Sequence, residues 1–223
     1  MAAFLRWIFN FLFLLLARRT VEGIERVPAR GPYLLVSNHL SRLDAPLIYG
    51  LVGGAHLTGW AAEKYEGHWF FGPLVRFGGG IFIRRGEVDR DALQLAVEWL
   101  RAGNVFGMSP EGTRSKTGVL GRAKTGAAYL VQQTGVPVVP AAVWGTETAV
   151  QTLLHLRRPR VFTRFGPVFE LAAIDESDRM VGLRRNTDEI MCRIAALLPE
   201  QYRGAYAGHP RLLELLASTD TPE

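Results

Sequence analysis

Apolar residues recur along the chain in three kinds of run. The first is continuous. Residues 2–17 (AAFLRWIFNFLFLLLA) are interrupted only by Arg6 and Asn10, and Arg18 and Arg19 follow at once. As a helix such a run spans roughly 24 Å at about 1.5 Å per residue, short of the ~30 Å hydrocarbon core of a bilayer. Arg6 and Asn10 fall one helical turn apart on one side. The segment therefore reads as a monotopic anchor lying in one leaflet, ahead of a full span or a cleaved signal peptide, for which Ala17-Arg18-Arg19 is a poor cleavage site. The second kind comprises short runs that end in turn or polar residues, at Tyr33–Ser37, Leu57–Ala61, Ile81–Ile83, Val105–Met108, Val136–Val143 and Val161–Phe165. Several are rich in Val, Ile or Phe and predict strands of one sheet. The third kind has helical spacing: Asp44–Leu51 with Asp44 as N-cap, Arg90–Arg101 with Leu93, Ala96, Val97 and Leu100 on one face, and Ala123–Gln133 stopped by Gly135. Strand and helix alternate, which predicts an α/β domain with a largely parallel sheet and sites gathered at the strand ends.

No repeat or long linker divides the chain, so a single catalytic domain over residues 20–205 is expected behind the hydrophobic helix of residues 1–19. A late amphipathic helix near Ser177–Leu198 and a C-terminal helix and polar tail over residues 206–223 complete the reading. At 223 residues, 48% hydrophobic and 21% charged, the chain can bury a real core. Its single cysteine, Cys192, excludes an internal disulfide and a cysteine-based zinc site. The formal net charge is +5, with the cationic surplus carried by the first 125 residues. That surplus favours anionic partners: nucleic acid, phospholipid surfaces or phosphorylated small molecules.

Candidate chemistry lies in four loops. In Ser37-Asn38-His39-Leu40-Ser41-Arg42-Leu43-Asp44 a strand stops and His39 emerges just before a helix. An ordinary imidazole, with a pKa of about 6.5, accepts a proton at neutral pH, and a carboxylate on its other nitrogen fixes the tautomer and stabilises the imidazolium. Asp44 reaches His39 if the turn folds back; otherwise it is only a helix cap. Gly78-Gly79-Gly80-Ile81-Phe82-Ile83-Arg84-Arg85-Gly86 ends a strand in two arginines, which alternation turns to opposite faces. A guanidinium binds phosphate with paired hydrogen bonds, although two solvated arginines are the simpler structural reading. Ser109-Pro110-Glu111-Gly112-Thr113-Arg114-Ser115 is a Pro-Gly turn that can aim backbone N–H groups at an anion, with Arg114 adding a charged fork. Glu111, itself an anion, suits backbone donors or a hydroxyl better than a phosphate. Gly135-Val136-Pro137-Val138-Val139-Pro140 carries two prolines in a strand, the mark of an edge, a bulge or a wall against an acyl chain.

Other templates are missing: G-x-S-x-G, G-x-x-x-x-G-K-[ST] and H-E-x-x-H do not occur, and the K-T-G matches at Lys116 and Lys124 have no S-x-x-K beside them. His56, His68, His155 and His209 show no metal-site spacing, and Cys192 lies among Met191, Ile194 and Ala195 as a buried thiol would. Neither a metal nor a cofactor is expected. Direct transfer by a general base is better supported than a covalent intermediate.

Together, N-H-x-x-x-x-D at 38–44, G-x-x-F-I-x-R at 79–85, P-E-G-T-R-S at 110–115 and V-P-V-V-P at 136–140 resemble the glycerolipid acyltransferase family, over roughly Val21 to Pro167. The resemblance implies His39 as general base, Asp44 as its orienting partner and Arg85, rather than Arg84, on the phosphate. Glu111, Gly112, Thr113 and Arg114 would hold the glycerol phosphate, with Lys64 as a further cation. Val136, Pro137 and Pro140 would wall the acyl pocket. The implied reaction moves an acyl group from acyl-CoA or acyl carrier protein to the hydroxyl of lysophosphatidate, at a membrane phospholipid surface on the cytoplasmic face of a bacterial inner membrane. The family also holds enzymes for other lysolipids, lyso-ornithine lipids among them. A non-catalytic membrane lipid-binding protein is the alternative from a different class. Nucleic acid is not an expected partner, since no module for it is present and residues 2–17 give the basic balance a membrane reason.

Overall fold

The computed structural model describes residues 2–52, 56–69, 71–84 and 89–219. The chain begins with helix α1 (Ala2–Leu16), strands β1 (Arg18–Glu22) and β2 (Tyr33–Ser37), helix α2 (Asp44–Val52), strand β3 (Leu57–Ala62), helix α3 (Phe71–Phe77) and strand β4 (Ile81–Ile83). Helix α4 (Arg90–Arg101), strand β5 (Val105–Met108), helix α5 (Gly126–Thr134), strand β6 (Val138–Trp144), helix α6 (Ala149–Leu154) and strand β7 (Arg160–Phe165) follow. Helices α7 (Arg179–Leu197) and α8 (Pro210–Thr219) end the described chain. All seven strands form one sheet in the order β1-β7-β6-β2-β5-β3-β4. From β6 to β4 the neighbours are parallel, whereas β7 runs antiparallel to β6 and carries β1 parallel to itself at the edge. The expected α/β class with a mostly parallel sheet is what forms.

A strand covered on both faces needs apolar residues at every position rather than at alternate ones. In β2 all of Tyr33, Leu34, Leu35 and Val36 are buried. Leu34 and Val36 join one core with Leu100 of α4, Leu130 of α5, Ile190 of α7 and Leu212 of α8. Tyr33 and Leu35 join a second with Leu47 and Ile48 of α2, against which Phe13 of α1 packs. Helix α4 starts where Asp89 caps it, its carboxylate accepting from the Ala92 N–H at 3.1 Å.

A proline inside the inner strand β6 has a local reason. The Val138 N–H donates to the Phe169 carbonyl at 2.8 Å, so two residues on Pro140 faces the same side, where only its carbonyl is engaged, by the Gly166 N–H at 2.8 Å. The ladder with β7 begins one residue later, at Ala141. Pro140 thus stands where no donor is required.

Several boundaries move from those expected. β6 starts at Val138 instead of Val136, and α5 at Gly126 instead of Ala123. The hydrophobic segment ends sooner than residue 19: Ala17 is buried and Arg18 already belongs to the sheet. At the other end α8 is fixed to the main body, with Leu212 in the core and Arg211 bridging to Glu189 of α7 at 2.6 Å.

Helix α1 lies on α2. Gly50 makes the close approach possible, since a Cβ there would stand 3.2 Å from the Asn10 nitrogen and 3.3 Å from the Phe9 Cβ. Phe9 meets Tyr49 edge-on with ring centroids 6.1 Å apart. Arg6 donates to the Leu51 carbonyl and Asn10 accepts from Arg19, so both polar interruptions of the run face the body. The opposite side shows stacked Phe4, Trp7 and Phe11 rings and Leu14 and Leu15 to the outside, Trp7 being 60% exposed. No helix among the described residues is long and apolar enough to cross a membrane.

Candidate active site

At the carboxyl ends of the parallel strands, the segment after β2 doubles back. Nδ1 of His39 lies 3.0 Å from Oδ2 of Asp44. That oxygen also accepts the Leu40 and Ser41 N–H groups, both at 2.7 Å, and Oδ1 accepts the hydroxyl of Thr146. The carboxylate is 2% exposed and holds four hydrogen bonds, all from groups outside its own helix. Of the two readings open in the sequence, a cap or a partner of the imidazole, this geometry is the second. A buried carboxylate needs such company, because each unpaired buried polar group costs roughly 1–3 kcal/mol. With Nδ1 committed to Asp44, Nε2 is the nitrogen of His39 left to meet a substrate. The imidazole is 20% exposed and borders a cavity of about 1410 Å³.

The loop after β5 fixes the main chain of His39 from both ends. Oε1 of Glu111 accepts the His39 N–H at 3.0 Å, and the Ser115 N–H donates to the His39 carbonyl at 2.8 Å. Glu111 spends its other oxygen on the Gly121 N–H at 2.8 Å. Burial pushes its carboxyl above the ordinary range, and the Gly121 and His39 N–H groups pull in the opposite direction without cancelling the shift. Its oxygens thus take backbone donors, the use its charge suggested in the sequence, and clamp two loops together; no contact of Glu111 with the cavity accompanies its implied place on the glycerol phosphate. Gly112 takes a φ of +68°, a left-handed conformation that suits glycine, and the Lys124 side chain passes over it.

Gly112, Thr113, Arg114 and Lys64 all line the cavity with His39. Arg42, Arg84 and Lys124 add to its cationic rim. Arg84 is exposed and leans 3.8 Å from Asp89; Arg85 lies outside the described residues. Val136, Pro137 and Pro140 do not reach this cavity. Val136 is part of the core under α5 and α7, the Pro137 carbonyl accepts from Leu34, and Pro140 faces Gly166. The apolar side is built instead from Leu5 and Phe9 of α1, Ile48 and Tyr49 of α2, and Leu74 and Val75 of α3.

Three contributors went unrecognised in the sequence. Asn38 is buried and closes a two-bond ring with the Val143 backbone, at 2.7 and 2.8 Å, locking the exit of β2 to β6. Thr146 completes the shell of Asp44 from the end of β6, the neighbour of β2, which is where the topology of a parallel sheet directs attention. Lys124 stood in a motif that led nowhere.

Fold and site define an α/β protein that presents a histidine, oriented by a buried carboxylate, to a large, mainly apolar cavity that several cations also line. The chain belongs to the Acyltransferase family, whose model matches residues 18–144, more than half of its length. It is 33% identical over 145 residues to the chloroplastic 1-acyl-sn-glycerol-3-phosphate acyltransferase of Brassica napus, covering 59% of this chain and 39% of that protein. To the 1-acyl-sn-glycerol-3-phosphate acyltransferase of Borreliella burgdorferi it is 22% identical over 162 residues, covering 71% of this chain and 64% of that one. The chain thus spans under two thirds of either relative. Its fold matches the crystal structure of the 1-acyl-sn-glycerophosphate acyltransferase PlsC of Thermotoga maritima, with a TM-score of 0.65 and 28% identity over 85% of this chain and 79% of that one.

Proposed function

We propose that this chain transfers an acyl group from an acyl thioester, carried by coenzyme A or acyl carrier protein, to the free hydroxyl of 1-acyl-sn-glycerol-3-phosphate, giving phosphatidate. The observation that carries the proposal is the His39–Asp44 pair at 3.0 Å beside a large, mainly apolar cavity that several cations also line. Nε2 of His39 takes the hydroxyl proton as the oxygen attacks the thioester carbonyl, and Asp44 stabilises the imidazolium. The tetrahedral centre collapses, the C–S bond breaks, and the thiolate leaves with the proton returned from His39. General-base assistance is worth about 10²–10⁴ in rate, and positioning of the two substrates supplies much of the remainder.

Arg114, Lys64 and Arg85 are assigned to the phosphate, with Gly112 and Thr113 supplying backbone. The acyl chain goes to the apolar side between α1, α2 and α3. The cavity exceeds the roughly 300–1,000 Å³ of common small-molecule sites, in keeping with two long substrates. Helix α1 rests on a lipid surface by its outward Phe4, Trp7 and Phe11, in the manner of a monotopic helix, at the cytoplasmic face of a bacterial inner membrane. Purified protein in detergent, given lysophosphatidate with acyl-CoA or acyl carrier protein, should release thiol and yield phosphatidate by mass. Thiol release with a lyso-ornithine lipid but none with lysophosphatidate would move the proposal to another head group, and none with any lysolipid would end it.

A further inference from the structure

Beyond α1, helix α6 and the loop joining it to β7 show a second outward apolar group. Val150 and Leu154 lie one helical turn apart and are 57% and 78% exposed, and Leu156 is 97% exposed. Leu156 also holds a φ of +56°, the sole positive value among the described residues other than glycine. Isolated surface leucines are ordinary, but a cluster of this kind marks a contact site. The same stretch, AVQTLLHLRRPR over residues 149–160, has three arginines and no acid.

The loop is fastened to α1. The Arg158 guanidinium donates to the Leu14 and Ala17 carbonyls at 2.6 and 2.9 Å, which are free acceptors at the end of that helix. Exposed Arg160 is in register with exposed Arg18 across the β7–β1 pair. Apolar side chains at the tip with cations around them form the arrangement that enters the headgroup layer of an anionic bilayer.

We propose that the α6–β7 loop is a second lipid contact, with Leu154 and Leu156 inserted among acyl chain ends and Arg157 and Arg160 on anionic headgroups. The inference rests on the reading that α1 lies at a lipid surface. Two contacts joined through Arg158 fix the tilt of the body, and with it the cavity that α1 lines near its other end, at Leu5 and Phe9.

Cys192, the only cysteine, is buried, so Leu156→Cys offers a single reactive thiol for a nitroxide label. Gly208→Cys, where a side chain meets open space, is the control. With phosphatidylglycerol/phosphatidylethanolamine vesicles, the label at 156 should become accessible to oxygen and shielded from a nickel chelate, while the control stays aqueous. Leu154→Ser/Leu156→Ser should weaken vesicle binding at least five-fold, with kcat/KM on a water-soluble short-chain acceptor unchanged. A label at 156 that stays aqueous while Trp7→Ser weakens binding overturns the second contact and keeps α1 at the surface. If neither Trp7→Ser nor the double serine variant changes vesicle binding, both readings fall. A serine variant that converts a dimer to a monomer with vesicle binding intact assigns the loop to chain association and overturns the proposal.

Discussion

Asp44 serves two ends with one carboxylate: it orients an imidazole and it closes the turn on which that imidazole stands. Substitutions separate the two. In Asp44→Asn the amide still offers an oxygen to Leu40 and Ser41 but cannot stabilise an imidazolium, so kcat should fall by at least about 10² with a smaller loss of melting temperature. If only the melting temperature dropped, Asp44 would be a structural residue. Thr146→Val removes the donor to Oδ1 and leaves that oxygen buried without its partner, a cost of roughly 1–3 kcal/mol. Its expected signature is a lower melting temperature with acceptor KM unchanged. Glu111→Gln tests the clamp, since one of the two carboxylate oxygens that accept backbone N–H groups is replaced by an NH2 donor facing an N–H. Thermal melting should reveal a clear loss while acceptor KM stays within about two-fold of wild type; a large KM rise would return Glu111 to the substrate.

Among the elements, legibility followed local chemistry. Tyr33–Ser37, Ile81–Ile83, Val105–Met108 and Arg90–Arg101 form at the boundaries their sequences suggest, because an apolar run or a capped periodic stretch fixes each one locally. The strand RRTVE at 18–22 was not legible: it is polar and becomes a strand only because β7 offers it an edge. Ala123–Thr125 looks helical, yet the Lys124 N–H is drawn to the Pro110 carbonyl at 2.9 Å, which delays α5 to Gly126. The α7–α8 contact allows a test by pH. Burial raises the Glu189 carboxyl, but hydrogen bonds from Arg211 and Arg193 outweigh it and hold the pKa below its ordinary 4.5. A depressed carboxylate stabilises the fold above its unfolded pKa and loses that contribution as pH falls through the folded value. Melting curves of wild type and Glu189→Gln should therefore differ at pH 6–8 and draw together as the pH falls below the ordinary carboxylate range and through the depressed folded value. A gap that held constant into acid would show that Glu189 contributes through packing alone.

Over the whole molecule the four motifs met with unequal fates, and sequence separation explains which. His39 and Asp44 are five residues apart and face one another across a tight turn, so their pairing was legible. The Thr146 hydroxyl comes from 102 residues away, and nothing short of the sheet order points to it. Val136, Pro137 and Pro140 lie away from the cavity, since a strand's sequence does not say which of two covered faces borders it. Helix α1, too, has its two sides only in the assembled body: one packs on α2 and the other is left outward. Gly50→Leu should lift α1 by filling the 3.2–3.3 Å approach, widening the apolar side of the cavity that Leu5 and Phe9 close. Acyl-chain discrimination should then relax, as read by competition between donors of different length; unchanged discrimination would separate α1 from the acyl site.

The proposed transfer requires Nε2 of His39 to act as the base. The measurement closest to that claim is His39→Ala in detergent, with kcat for thiol release and the dissociation constant for lysophosphatidate taken from the same preparation. A base acts in the transition state far more than in the ground state, so kcat should drop by at least about 10² while the dissociation constant stays within about two-fold. A variant that folds, binds lysophosphatidate as the wild type does and keeps a tenth or more of its kcat would contradict it.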